Sequence, residues 1–260
     1  MPRFNDLKQG FAQIVTDPHC LAKVLLGGFL LINPFLLALI PTFVAGLANP
    51  QAAVPWVQAV FPYILAFNVL TFWFPLGFTY EVLRRARSGQ GRQLPDWSLS
   101  VLPRYAKEGA VKLVIAITTL LLPVGLYMGT IYGIFIVGLG LPASLLSMFL
   151  QPIMLLVIPF CGVACCRWLD GAGVLNSALN YPENIRLFKL GWKDYLIASA
   201  FLIGVNSVTT AFYYTIPFGA VFGLCLVDTW FGPIYAETVR LKQPATASKE
   251  REGVLTASKA

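Results

Sequence analysis

Asp228 is the residue in this sequence best placed to do chemistry. It stands between Val227 and Thr229, with no other charge from Tyr195 up to Glu237. An ionised, unpaired acid near the middle of a membrane costs about 2.5–3.5 kcal/mol by insertion scales. It must therefore be neutral, paired or in contact with water. One reading makes it a proton- or cation-binding group. The other makes it a structural acid held by Asn206, Thr209 or a tyrosine. Asn33, Gln151 and Asn206 are further polar side chains in apolar surroundings, and Asn33-Pro34 and Gln151-Pro152 each join one to a helix-kinking residue. Proline frees a backbone carbonyl that a side chain, water or ion can use. Asp228, Asn206, Asn33 and Gln151 are thus the candidate ion or proton site. Simple kinking of packed helices is the competing reading of the prolines.

Other chemistries find little support. Cys161 and Cys165 are four residues apart, with Cys166 beside them. Two thiolates at that spacing can share a metal, but a full site needs two more ligands, and only His19 and Cys20 are at hand. Cysteine in lipid usually behaves as a small buried apolar residue. No metal site and no cofactor are expected. The single histidine, His19, precludes a Ser/His/acid constellation, and neither a phosphate-binding glycine loop nor a dinucleotide fingerprint is present. No catalytic residue is assigned, and an enzyme is not expected.

The elements that must position these groups follow from composition. Of 260 residues, 57% are apolar and only 12% charged. That charge share is about half of what soluble domains carry, too little to coat a soluble particle of this size. The expected class is all-α, an integral membrane bundle. About 20 apolar residues cross the hydrocarbon layer. Two long charge-free stretches, each broken by Gly and Pro, and the stretch around Asp228 divide into six spans, near 21–44, 56–80, 110–137, 143–166, 195–214 and 217–238. Residues 1–240 would form one transmembrane domain. Residues 241–260, rich in Ala, Ser, Thr and charge, read as a disordered cytoplasmic tail.

The charges agree with an even number of spans. Lys and Arg number 19 against 12 Asp and Glu, and the basic residues fall in the N-terminal segment, the connections after spans two and four, the tail, and Lys112 at the base of span three. The other three connections carry no charge. Basic segments stay on the cytoplasmic side, so both termini are expected there. Amphipathic stretches precede the hairpins. Phe4, Leu7, Phe11, Ile14 and Val15 share a helical face, as do Ile185, Phe188 and Trp192, and Pro182-Glu183 suits a helix start. A middle counterpart at Pro95-Asp96 is interrupted by Pro103. Arg84, Arg85, Arg87 and Arg92 are candidate lipid-headgroup contacts, each contributing about 1 kcal/mol near an anionic surface. Their simpler role is to set topology. Gly125, Gly129 and Gly133, and Gly219 and Gly223, are spaced for close helix packing, within one chain or between two.

The stretch Glu81-Val82-Leu83-Arg84-Arg85-Ala86-Arg87-Ser88-Gly89, followed by Leu94-Pro95-Asp96-Trp97, resembles a prokaryotic membrane family labelled domain of unknown function 4013. Its members show a span ending in an Arg-containing turn, a Gly, Leu-Pro-x-Trp, then another span. The later stretch from Ala178 to Pro182, and Trp192 to Tyr195, is similar in kind. The resemblance covers residues 20–240, with a longer proline-rich segment near 41–62 in this chain. It implies a bacterial or archaeal membrane, cytoplasmic or internal, and transfers no activity and no catalytic residue.

The function expected from these observations is a membrane-embedded assembly, scaffold or accessory subunit. Its partners would be membrane lipid and another membrane protein or a second copy of itself, with no nucleic acid. The alternative is a permease for a small solute or ion with Asp228 on its path.

Overall fold

The computed structural model describes residues 4–31, 50–89, 94–136, 143–209 and 215–257. Every element among them is a helix, and no strand is present among the described residues. In chain order they are α1 (Phe4–Val15), α2 (Cys20–Leu31), α3 (Pro50–Thr71), α4 (Trp73–Ser88), α5 (Leu102–Ile136), α6 (Ala143–Leu169), α7 (Val174–Leu179), α8 (Tyr181–Leu190), α9 (Trp192–Thr209) and α10 (Ile216–Ala257). The helices expected near 56–80, 110–137, 143–166, 195–214 and 217–238 correspond to α3 with α4, α5, α6, α9 and α10. Of the first, the described part is α2, and Asn33 lies outside the described residues.

Three local outcomes differ from expectation. Pro103 does not interrupt a helix; it is the second residue of α5, a position where the missing N–H would have no partner anyway. The segment before it, from Leu94 to Ser98, is not helical, so the second hairpin lacks the amphipathic helix seen before the others. Beyond Leu241 the backbone continues as helix through Ala257. Disorder was expected for that tail, yet its Ala, Glu, Lys and Leu residues are strong helix formers.

The start of α8 follows its sequence signal. Asn180 accepts a hydrogen bond from the Glu183 N–H, and Pro182 sits in the first turn. The α4 helix ends at Gly89, whose φ of 67° only glycine adopts without strain. Phe72 alone separates α3 from α4, and its N–H still bonds the Asn68 carbonyl at 3.0 Å.

Glycines set how closely the helices approach. A Cβ on Gly77 would lie 1.9 Å from the Tyr105 carbonyl oxygen, and one on Gly109 would lie 1.9 Å from that of Trp73. The backbones of α4 and α5 therefore touch. Gly232 of α10 meets the Ala86–Arg87 backbone of α4, and Gly162 of α6 receives the Phe231 ring. The α10 helix is the hub: it packs on α1, α2, α4, α6, α8 and α9. Around these contacts lies a core of Phe78, Tyr80, Leu83, Ile115, Tyr195, Leu226 and Phe231. Trp97 stacks on Phe78 with ring centroids 4.6 Å apart and meets Tyr105 edge-on.

The outward faces are apolar as well. Leu21, Leu25 and Phe29 of α2 are exposed, as are Ile117 and Leu121 of α5 and Ile197, Phe201 and Val208 of α9. Leu21 is 72% exposed, Leu121 69% and Val208 74%. Among the described residues, one segment, Pro217–Leu241, is long and apolar enough by itself to cross a membrane.

The non-helical segment 94–98 is stitched to the turn between α1 and α2. Asp17 accepts the Leu94 N–H at 3.0 Å and the Lys23 ammonium at 3.1 Å, while Lys23 also donates to the Leu94 carbonyl at 2.8 Å. Lys23 reaches Asp96 at 2.8 Å, and its own carbonyl accepts the Trp97 indole N–H at 3.1 Å. The hydrogen bond from Lys23 holds the Asp96 carboxyl below its usual range. A depressed folded pKa gives stability that is fully present above the unfolded value, about pH 4, and lost as the pH falls through the folded one. Asp96→Asn should thus lower thermal stability slightly at pH 7, by under about 1 kcal/mol because the carboxylate itself is so exposed. The difference between variant and wild type should shrink as the pH falls below about 4 and vanish once it has passed the lowered carboxyl, which melting curves of both from pH 7 down into strong acid will check.

Candidate functional site: a buried charge ladder

Asp228 is not a lone acid. Its Oδ2 accepts a hydrogen bond from the Lys112 ammonium at 2.6 Å, and Lys112 also donates to Thr79 Oγ1 at 2.8 Å. The Thr79 hydroxyl in turn donates a hydrogen bond to the Leu76 carbonyl at 3.0 Å. Asp228 is 4% exposed and Lys112 7%. Three helices meet here: α4 brings Thr79, α5 brings Lys112 and α10 brings Asp228. The partners expected from the sequence, Asn206, Thr209 or a tyrosine, are replaced by a cation that the charge pattern had assigned to topology. A buried carboxylate needs a counter-charge more than it needs a dipole.

The pair is the inner end of a longer ladder. Arg104, Glu108 and Lys112 recur every four residues on one face of α5, so opposite charges alternate along it. Glu81 and Arg84 of α4 face the outer end. Arg84 bonds both Glu81, at 2.7 Å, and Glu108. Arg104 likewise bonds Glu81 and Glu108, the latter at 3.0 Å. Arg85 adds a contact to Glu81 at 3.3 Å. Two carboxylates and two bridging guanidinia thus close a ring across the α4–α5 interface. Lys112 is about 6 Å of helix rise beyond Glu108, so Asp228 lies one turn from this ring rather than isolated at mid-helix. Burial pushes the Glu108 carboxyl up, against the pull of Arg104. Burial, then the Glu81 charge, takes the neighbouring Tyr105 phenol up to about 12.

The remaining candidates are dispersed. Asn206 of α9 lies beside Gly223, and its buried Oδ1 has no hydrogen-bond partner among the described residues. Gly223 is about 7.5 Å of rise from Asp228, and no bond joins Asn206 to it. The Gln151 side chain and Arg92 lie outside what is described. Arg84, Arg85 and Arg87 are directed to carboxylates: Arg87 pairs with Asp170 at 3.3 Å and lies over the Tyr235 ring. Gly219 and Gly223 sit against Thr209 and Leu202 of α9, whereas no described atom lies within 4 Å of a Cβ on Gly125 or Gly129. Gly133 belongs to the same helix, α5. Cys161 and Cys165 of α6 are free thiols, the first partly buried and the second buried, and no group of three metal-holding side chains occurs among the described residues.

Sequence reasoning missed Lys112, Thr79, Glu81 and Glu108 as a group. The spacing of Arg104, Glu108 and Lys112, and of Glu81 with Arg84 and Arg85, was the available signal. It also missed Arg167, whose Nη1 bonds the carbonyls of Asn176 and Ser177 and the Asn184 Oδ1 at 2.9 Å. As an arrangement, the ladder fastens α4, α5 and α10 together, and Lys112 occupies the position at Asp228 that a bound cation would take. Comparison with known proteins adds no relative: no family model, no curated protein and no solved structure matches the chain, so the resemblance at residues 81–97 rests on those residues alone.

Proposed function

We propose that this protein is an integral membrane component without a catalytic centre, an assembly, scaffold or accessory subunit that works by holding lipid and a partner membrane protein or another copy of itself. It crosses the membrane six times, near the spans predicted above, with both termini on the cytoplasmic side of a prokaryotic cytoplasmic or internal membrane. The observation that carries this reading is the inversion of the usual surface. Leucine, isoleucine, phenylalanine and valine cover the outer faces of α2, α5 and α9, while Lys112 and Asp228 pair inside and the buried Glu81 and Glu108 carboxylates are held by the partly exposed Arg84 and Arg104. Apolar faces of this extent mark contact with lipid or protein. The permease alternative is less well supported, because the carboxylate it needs is buried against a lysine.

The expected result is that the protein stays in the membrane pellet after alkaline carbonate washing. Single cysteines placed at Arg87 and Leu190 should react with an impermeant reagent from the cytoplasmic side only. Release into the supernatant, or labelling of those two positions from opposite sides, refutes the topology. In mild detergent it should purify with bound lipid or protein; a bare monomer refutes the scaffold reading.

A further inference from the structure

A second charged region lies apart from the ladder, where the C-terminal end of α6 and the first turns of α8 meet α10. Arg167, Asp170, Glu183, Arg186, Leu187 and Tyr235 are among the residues that line an open cavity of about 660 Å³ there. Arg167 is 8% exposed, yet its guanidinium bonds only neutral oxygens, those of Asn176, Ser177 and Asn184. It makes no ion pair among the described residues, and neither Nε nor Nη2 has a hydrogen-bond partner among them. Asp170, the nearest acid in sequence, is occupied by Arg87 at 3.3 Å. Arg186, on the first turns of α8, makes no ion pair among the described residues and faces the same cavity.

A buried cation whose own hydrogen bonds all go to neutral oxygens is costly unless an anion completes it. Burial by itself would favour replacing Arg167 with an apolar residue. What a guanidinium adds is a planar fork of donors matched to an oxoanion. The Nη1 anchor fixes the plane of that fork and leaves its other edge for a ligand. The cavity is several times larger than a bare ion needs and falls within the range of small-molecule sites. Leu187 and Val239 give it an apolar wall, and the two arginines share the polar side with Glu183 and with Asp170, which Arg87 pairs.

We propose that this cavity binds a phosphate ester of headgroup size, its phosphate held between Arg167 and Arg186. A phospholipid headgroup and a soluble phosphorylated metabolite share that chemistry. The cavity does not depend on the membrane topology proposed above, since the soluble ligand needs no bilayer.

The test uses the full chain, purified in nonionic detergent and washed to remove loosely held lipid. Bound phosphorus is assayed, and melting temperature is followed against sn-glycerol 3-phosphate, against phosphatidylglycerol in mixed micelles, and against chloride at matched ionic strength. Wild type should either retain phosphate through the washing or gain stability saturably with a phosphate ester, and chloride should not substitute. Arg186→Gln, an exposed change away from the α6–α7 packing, should lose the retained phosphate or bind about tenfold more weakly, the loss of one charge-assisted contact. A response to both esters identifies the phosphate group itself as the determinant. A response to the lipid alone identifies a headgroup site. No retained phosphate and no stabilisation by either ester overturns the proposal, and so does an unchanged response in Arg186→Gln. Arg167→Lys, which keeps the charge but loses the fork, should also weaken binding if it folds.

Discussion

Replacing Lys112 with methionine should destabilise the protein by about 3–5 kcal/mol, the usual cost of leaving one member of a buried ion pair uncompensated. The ammonium bonds Asp228 and Thr79 at once, so its removal strands a carboxylate with 4% exposure. Asp228→Leu should cost a similar amount, because Lys112 then has only the Thr79 hydroxyl. Combining the two changes should recover most of the loss, since a pair of well-packed apolar side chains often serves as well as a buried ion pair. A double-mutant cycle on reversible unfolding in detergent measures this directly. Single losses below about 1 kcal/mol would mean that water reaches the pair, and would reopen the case for an ion path through Asp228.

The second large effect belongs to Gly77. Alanine there would put its methyl 1.9 Å from the Tyr105 carbonyl oxygen, a backbone atom that no rotamer change can move. The α4 and α5 helices would have to separate, disturbing the Trp97–Phe78–Tyr105 stack and the Arg84 and Arg104 bridges. Overpacking against side chains costs about 1–3 kcal/mol, and a clash with backbone belongs at or above the top of that range. The Gly109 position makes the reciprocal contact and should behave alike. Gly125→Ala is the control. It meets no described atom within 4 Å, and alanine favours a helix over glycine by about 0.5–1 kcal/mol, so it should raise the melting temperature. Equal melting temperatures for Gly77→Ala and Gly125→Ala would show that the tight approach of α4 and α5 is not formed.

Helices were legible in the sequence because apolar runs and Gly-Pro breaks are local signals. Their pairing was not. Asp228 stood out, but its partner Lys112 is 116 residues away and looked like one more basic residue at a helix base. Arg84 and Arg85 looked like a cationic turn facing headgroups, because a run of like charge is seen before the single acid, Glu81, three and four residues back. The glycine ladder at Gly125 and Gly129 matched a known spacing, yet the closest backbone contact uses Gly77 and Gly109, each isolated in sequence and paired only in space. Pro103 was misread because a proline in the first turn and one in the middle of a helix look identical until the start of the helix is known.

That α10 is the hub has a consequence for biosynthesis. Lys112 leaves the ribosome long before Asp228, 116 residues later. At a synthesis rate of about 5–20 residues per second, the nascent chain carries an unmatched lysine for about 6–23 s. During that interval α4 and α5 can dock through their glycines and arginines, but the seat for α10 stands empty. Chains stalled before residue 216 should therefore be preferred substrates for quality-control proteolysis, and insertion factors that shelter polar residues should be found on them.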